Sequence, residues 1–123
     1  MRLAIVGSTG LGGNETARAT IRWLLDRHQP DVVVSGGANG IDTMAADEAR
    51  KRGILVKEYL PLEPRWRGAG GFRERNLKIA HNCDRLARIV AEESTTYGSG
   101  WTRDRARECG VPCEEYTIAE GAP

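Results

Sequence analysis

Short apolar runs alternate with stretches in which apolar residues recur every three or four positions. Leu3-Ala4-Ile5-Val6 is the first run, closed by Gly7. A polar, Gly-rich stretch follows, and then Ala17, Ile21, Trp23, Leu24 and Leu25 recur at near-helical spacing, which predicts an amphipathic helix. Asn14 or Thr16 can cap it, and Pro30 lies beyond its end. Val32-Val33-Val34 is a second run, of the kind found in strands buried on both faces of a parallel sheet. Ile41, Met44, Ala45 and Ala49 mark a second helix, with Gly53 as its stop. Residues 54–59 read as a third strand and 60–71 as a long Pro- and Gly-containing loop; a loop that long in a small domain is often functional. Residues 72–82 read as a helix, 86–91 as a strand, 92–100 as a loop, 101–109 as a short helix and 114–118 as a fifth strand. Such alternation implies parallel strands joined by right-handed crossovers. The expectation is an α/β fold: a single Rossmann-like, doubly wound parallel sheet of about five strands with helices on both faces. One domain covers 1–119, with a tail at 120–123.

Composition narrows the function classes. At 123 residues, 40% hydrophobic and 28% charged, the chain reads as one ordinary globular domain rather than a disordered one. Lys plus Arg is 18 against 17 for Asp plus Glu, a net charge of +1, so no bulk attraction to DNA or acidic membrane is expected. No apolar run approaches the ~20 residues of a membrane span. The start lacks a signal-peptide pattern, and three sparse cysteines suggest free thiols in a reducing cytoplasm. Cys109, Cys113 and His81 lack the second close pair a zinc site needs, so no metal is expected. His28 and His81 are isolated and receive no catalytic role. Trp23 and Trp101 read as packing residues.

Ligands of open parallel sheets bind beyond the carboxyl ends of the strands. Three segments there are rich in Gly and hydroxyl residues: 7–14, 35–40 and 94–102. Each precedes a helix, whose N-terminus offers free N–H groups and a partial positive charge. Three such segments on one edge describe a phosphate or nucleotide cradle. Two familiar alternatives fail. Gly7 to Gly12 has the Walker spacing, but Gly13 stands where the lysine belongs. Gly7, Gly10 and Gly13 match a dinucleotide spacing, but the second strand ends Val34-Ser35-Gly36 with no acid for the ribose, and no Tyr-x-x-x-Lys pair exists. An ATPase, a kinase and a nicotinamide oxidoreductase are therefore disfavoured.

The stretch Val34-Ser35-Gly36-Gly37-Ala38-Asn39-Gly40-Ile41-Asp42, followed by Ala45, Ala46 and Ala49, resembles the Ser-Gly-Gly-Ala-x-Gly-Ile-Asp motif of the SLOG superfamily. That superfamily includes DprA/Smf, the LOG phosphoribohydrolases and small stand-alone YspA-like proteins. Val6-Gly7-Ser8, Phe72-Arg73-Glu74-Arg75-Asn76, Cys83-Asp84-Arg85-Leu86 and Gly98-Ser99-Gly100-Trp101-Thr102-Arg103-Asp104 resemble further family segments in order. The resemblance implies a fold that binds nucleotides or nucleotide-derived phosphates, with no other cofactor required. Gly7, Ser8, Thr9, Ser35, Gly36, Gly37, Ala38, Asn39, Gly40, Asp42, Arg73, Arg75, Asn76, Gly98, Ser99, Gly100 and Thr102 would form the site. Gly36, Gly37 and Gly40 would wrap phosphate, while Asp42 could equally be a helix cap.

Three functions follow. The first is sensing or sequestering a nucleotide-derived ligand. The second is LOG-like hydrolysis of a nucleoside monophosphate at the base–ribose bond, with Arg75 and Asp104 as catalytic residues. There the family acid is replaced, since Trp101 stands for its Thr and Arg103 or Asp104 lies nearest the acid position. A placed carboxylate matters because the reaction passes through a cationic sugar. The third is DprA-like binding of single-stranded DNA, which the +1 charge disfavours. Arg65 and Arg67 remain open between ligand contact and solvated loop, and Trp66 among them could stack on a base. Relatives commonly form homodimers, but nothing in the sequence fixes an interface.

Overall fold

The computed structural model describes residues 1–92 and 97–119. Along the chain run β1 (Arg2–Gly7), a 3-10 turn (Thr9–Leu11), α1 (Glu15–His28), β2 (Val32–Ser35), α2 (Ile41–Lys51), β3 (Leu55–Glu58), α3 (Phe72–His81), β4 (Arg85–Ala91), α4 (Tyr97–Glu108) and β5 (Cys113–Ile118). The five strands form one sheet in the order β3-β2-β1-β4-β5, and every pairing is parallel. This is the expected doubly wound α/β architecture.

Strand pleating divides β1 between two cores. Leu3 and Ile5 face one side with Ile21, Leu24 and Leu25 of α1 and Met44, Ala45 and Ala49 of α2. Ala4 and Val6 face the other with Ile79 and Ala80 of α3 and Ala106 of α4. Both faces of β1 are thus dry, which is why its sequence is a continuous apolar run rather than an alternating one. The chain leaves β1 in one direction across the sheet and returns to β4 on its other side, so the strand order reverses between β1 and β4.

Most element boundaries follow the sequence signals. Asn14 is the α1 cap, its Oδ1 accepting from Ala17 N at 2.9 Å. Gly53, at φ +70°, turns the chain out of α2. Two expectations change. The last helix begins at Tyr97 instead of Trp101, so Gly98, Ser99 and Gly100 form helical turns, not a loop. Packing against α3 holds these poor helix formers, and Thr102 Oγ1 donates back to Gly98 O at 2.8 Å. Trp23 is 45% exposed: it lies beside the buried stripe of α1, edge-on to Tyr116 at 6.0 Å, with Arg27 over its ring. The first part of the third Gly-rich segment, including Ser94, and the tail at 120–123 lie outside the described residues.

All three cysteines are free; Cys83 is buried and Cys109 exposed. Among the described residues, no three or more His, Cys, Asp or Glu side chains group to hold a metal ion. No described helix is long and apolar enough to cross a membrane.

Candidate functional site

A cavity of about 360 Å³ opens beyond the carboxyl ends of the central strands, where the strand order reverses and ligands of such sheets bind. One side is the end of β1, with Val6, Gly7 and Thr9; another is the β2–α2 connection, with Ala38 and Asp42. The α3 side supplies Phe72, Arg75, Asn76 and Ile79, one face of the helix at i, i+3, i+4 and i+7. Trp66 of the long loop and Gly98, Ser99 and Thr102 of α4 complete the lining.

Two glycines let the backbone come this close. A Cβ on Gly7 would lie 1.8 Å from Ile89 O, because β1 and β4 touch there. Gly40 has φ +83°, and a Cβ on it would lie 2.5 Å from both Ser8 O and Thr9 O. The first and second connections therefore interlock. Ser8 reinforces the junction: its N donates to Ile89 O at 3.1 Å and its Oγ accepts from Ala91 N at 3.1 Å.

The 35–40 connection has already committed several of its N–H groups. Gly37 N donates to Ser35 Oγ at 3.2 Å, Ala38 N to Asp42 Oδ2 at 3.2 Å, and Ile41 N to Ser8 O at 3.4 Å. Thr43 Oγ1 donates to Ala38 O at 2.7 Å. The Asp42 carboxylate thus occupies the concave side of this connection as an internal anion.

Asp42 and Arg75 form the electrostatic centre. A Cβ placed on Gly36 would lie 2.7 Å from Arg75 Nη1 and 2.8 Å from Asp42 Oδ2, so both groups converge on that glycine. Burial pushes the Asp42 carboxyl up to about 6, against the N–H donors of Ala38 and Gly36 and the Arg75 charge, which pull it down. Burial also lowers the Arg75 guanidinium from its ordinary value, opposed by Asp42. Arg75 is held in place by donating to Gly36 O, to Tyr59 O at 3.4 Å and to Asn76 Oδ1 at 2.7 Å. Its guanidinium lies 5.6 Å from the Phe72 ring centroid.

Of the residues expected from sequence, Gly7, Thr9, Ala38, Asp42, Arg75, Asn76, Gly98, Ser99 and Thr102 line the cavity. Ser8, Ser35, Gly36 and Gly40 are buried in the connections behind that lining, while Gly37 and Asn39 of the second connection are exposed. Gly100 is buried beside Arg88. Ser99 Oγ accepts from Arg88 Nε at 2.9 Å, and Arg88 and Arg103 both pair with Glu115. Arg73 points elsewhere, over Trp101 with 5.7 Å to the ring centroid. Asp104 is not part of the lining; it pairs with Arg103 at 3.0 Å. Arg65 braces its own loop, donating to Arg67 O at 3.0 Å and Ala69 O at 3.2 Å.

The apolar walls Val6, Phe72 and Ile79 were absent from the expected set. The α3 residues carried a signal: Phe72 and Ile79 share a helical face with Arg75 and Asn76. Among the described lining residues the site is largely apolar, with one acid and one compensating guanidinium. It suits a flat, polar-edged molecule better than a bare anion.

Comparisons with known proteins agree with this architecture. The X-ray structure of DNA processing protein A (DprA) from Streptococcus pneumoniae superimposes with a TM-score of 0.70 at 25% identity. The match covers 93% of this chain and 49% of that one, so the chain spans about half of DprA. A search of curated proteins gives no significant match. The sequence model of the YspA, cpYpsA-related SLOG family (YAcAr) matches residues 1–67, which hold both the β1 connection and the Asp42 motif, and the chain belongs to that family.

Proposed function

We propose that the chain binds a nucleotide or nucleotide-derived phosphate ligand in the cavity at the carboxyl edge of its sheet, as a sensor or sequestering protein. One observation carries this reading: the cavity at the β1/β4 reversal combines the aromatic walls Trp66 and Phe72 with the Asp42–Arg75 centre and the Asn76 amide. Aromatic faces stack on a base, and a carboxylate, an amide and a guanidinium can read its polar edge. Membership of a SLOG family and the fold shared with a DNA processing protein support the nucleotide class.

Binding without turnover is favoured over hydrolysis by the position of Asp104. N-glycoside cleavage asks for a carboxylate at the reacting sugar, and Asp42 is the one acid among the described lining residues. Its carboxylate is engaged by Ala38 N. Single-stranded DNA stands behind both readings, since among the described residues the cavity holds a single guanidinium whose charge Asp42 offsets. The test is incubation with nucleoside mono-, di- and cyclic phosphates, read by thermal shift and by chromatography for free base. A ligand at 100-fold its Kd stabilises by about 2.7 kcal/mol. Stabilisation without free base is the expected result. Free base whose release is lost in Arg75→Ala would make the protein a hydrolase.

A further inference from the structure

A second pocket of about 350 Å³ adjoins the cavity and shares one wall with it, Trp66. Its other lining residues are Arg67, Arg73 and Trp101. The two indoles meet edge to face, with centroids 5.3 Å apart and planes at 86°. The two spaces differ in chemistry. The inner one is largely apolar, and its one guanidinium, Arg75, faces the Asp42 carboxylate. The outer one is polar and carries two guanidiniums on exposed side chains. Among the described residues neither Arg67 nor Arg73 has an acidic side chain within 4.0 Å, a feature they share with Arg2, Arg27, Arg65, Arg75 and Arg107, whereas Arg18, Arg22, Arg50, Arg52, Arg85, Arg88, Arg103 and Arg105 are each paired. In a chain of net charge +1, uncompensated cations side by side are a local feature that bulk composition does not reveal.

Among the described residues, the 35–40 connection of the inner space, by contrast, gives an anion little to bind. Gly37 N and Ala38 N of the 35–40 connection donate to Ser35 and Asp42, and the Asp42 carboxylate would repel an approaching phosphate. A ligand with one flat end and one anionic end therefore has a single favourable direction. The flat end enters between Trp66 and Phe72, and the anionic end stays outside. Guanidinium forks suit that end, since two N–H donors match two phosphate oxygens.

We propose that the pocket formed by Trp66, Arg67, Arg73 and Trp101 is the phosphate subsite of the nucleotide site. The ligand enters base first, and its phosphates leave the inner cavity past Trp66 to reach Arg67 and Arg73. This rests on the nucleotide reading of the inner cavity and adds to it the direction of the ligand and the residues that select its charge.

The test compares the nucleoside, its 5′-monophosphate and its 5′-diphosphate for each common base, by calorimetric titration of wild type, Arg67→Gln, Arg73→Gln and the double variant. Both side chains are exposed, so the variants should keep the wild-type melting temperature. In wild type each base that binds should gain about tenfold or more in affinity from nucleoside to nucleotide, the scale of one charge-assisted hydrogen bond. The double variant should lose that gain while binding the nucleoside within about twofold of wild type. A gain that survives the double variant, or a loss shared equally by nucleoside and nucleotide, overturns the subsite and leaves the inner cavity's reading standing. If wild type binds no member of the series, the nucleotide reading itself fails, and the subsite with it.

Discussion

Glu48 is 3% exposed yet sits where four cations from α1, α2 and the residue capping α2 converge. Arg22 Nε lies 2.9 Å from it, Arg18 Nη1 3.1 Å, Arg52 Nη1 3.4 Å and Lys51 Nζ 3.5 Å. The hydrogen bond from Arg22, with that from Arg18 and against the burial that opposes it, holds the carboxyl at about 2 rather than its ordinary 4.5. At about 1.4 kcal/mol per unit, that difference favours the ionised folded state by roughly 3 kcal/mol. Arg22 is half exposed, so water resolvates part of the cluster when its partner is lost, and Glu48→Gln should cost about 2–3 kcal/mol. For a domain of this size the melting temperature should fall by roughly 8 °C. The pH dependence identifies the cause. A depressed carboxyl contributes fully above its unfolded value of about 4.5, and its contribution fades as pH falls toward 2. Urea unfolding of wild type and variant should therefore differ most at pH 7, and the difference should shrink by about half near pH 3. Because the acid is buried, raising salt from 0.1 to 0.5 M should leave most of the gap in place. A gap below about 0.5 kcal/mol at pH 7, or one unchanged at pH 3, would refute the assignment of this stability to a buried ionised acid.

Asp42 should act in the opposite direction. Its folded value is raised from 3.8 to about 6, so its contribution to stability grows as pH falls through 6, by about 1 kcal/mol between pH 7 and 5. Asp42→Asn should abolish that slope in urea midpoints, and a slope retained in the variant would contradict it. Gly7→Ala should cost about 3 kcal/mol or more, since its Cβ would lie 1.8 Å from Ile89 O. Gly10→Ala, with nothing within 4 Å, should stay within about 0.5 kcal/mol of wild type; similar denaturation midpoints for the two would refute the close β1–β4 approach. Burial pushes the Cys83 thiol up to about 12, so a thiol reagent at pH 8 should label exposed Cys109 in the native state and Cys83 only on unfolding. Peptide mapping that found Cys83 labelled first would contradict this packing.

The architecture was legible because the central strands β1 and β2 are short apolar runs and α1 and α2 each carry a clean buried stripe. Ile41, Met44, Ala45 and Ala49 all reach the core beside β1, as their spacing predicted. The start of α4 was not legible, since Gly98-Ser99-Gly100 has poor intrinsic helicity and is held by packing on α3. The Gly-rich connections were found, but hydrogen-bond direction is not written in a motif. The motif places Asp42 near the N–H groups of its own loop; only the folded chain makes that acid an acceptor from Ala38. Asp104 falls outside the cavity lining for a similar reason. It lies two residues beyond Thr102 on α4, where the helix turns it away from the cavity and toward Arg103. Arg65, Arg67, Arg73 and Arg75 look alike in sequence, yet one braces its loop, two line the outer pocket and one enters the cavity.

The most direct test of the central claim is amide chemical-shift mapping of the labelled protein with a nucleotide that raises its melting temperature. A nucleotide in the cavity predicts shifts at Gly7, Thr9, Ala38, Asp42, Asn76 and Ser99, residues that four separate parts of the chain bring together. The outer face of α1 and α2 around Glu48 should stay unchanged. Shifts confined to that face, where Arg18, Arg22 and Arg52 cluster, would contradict the site.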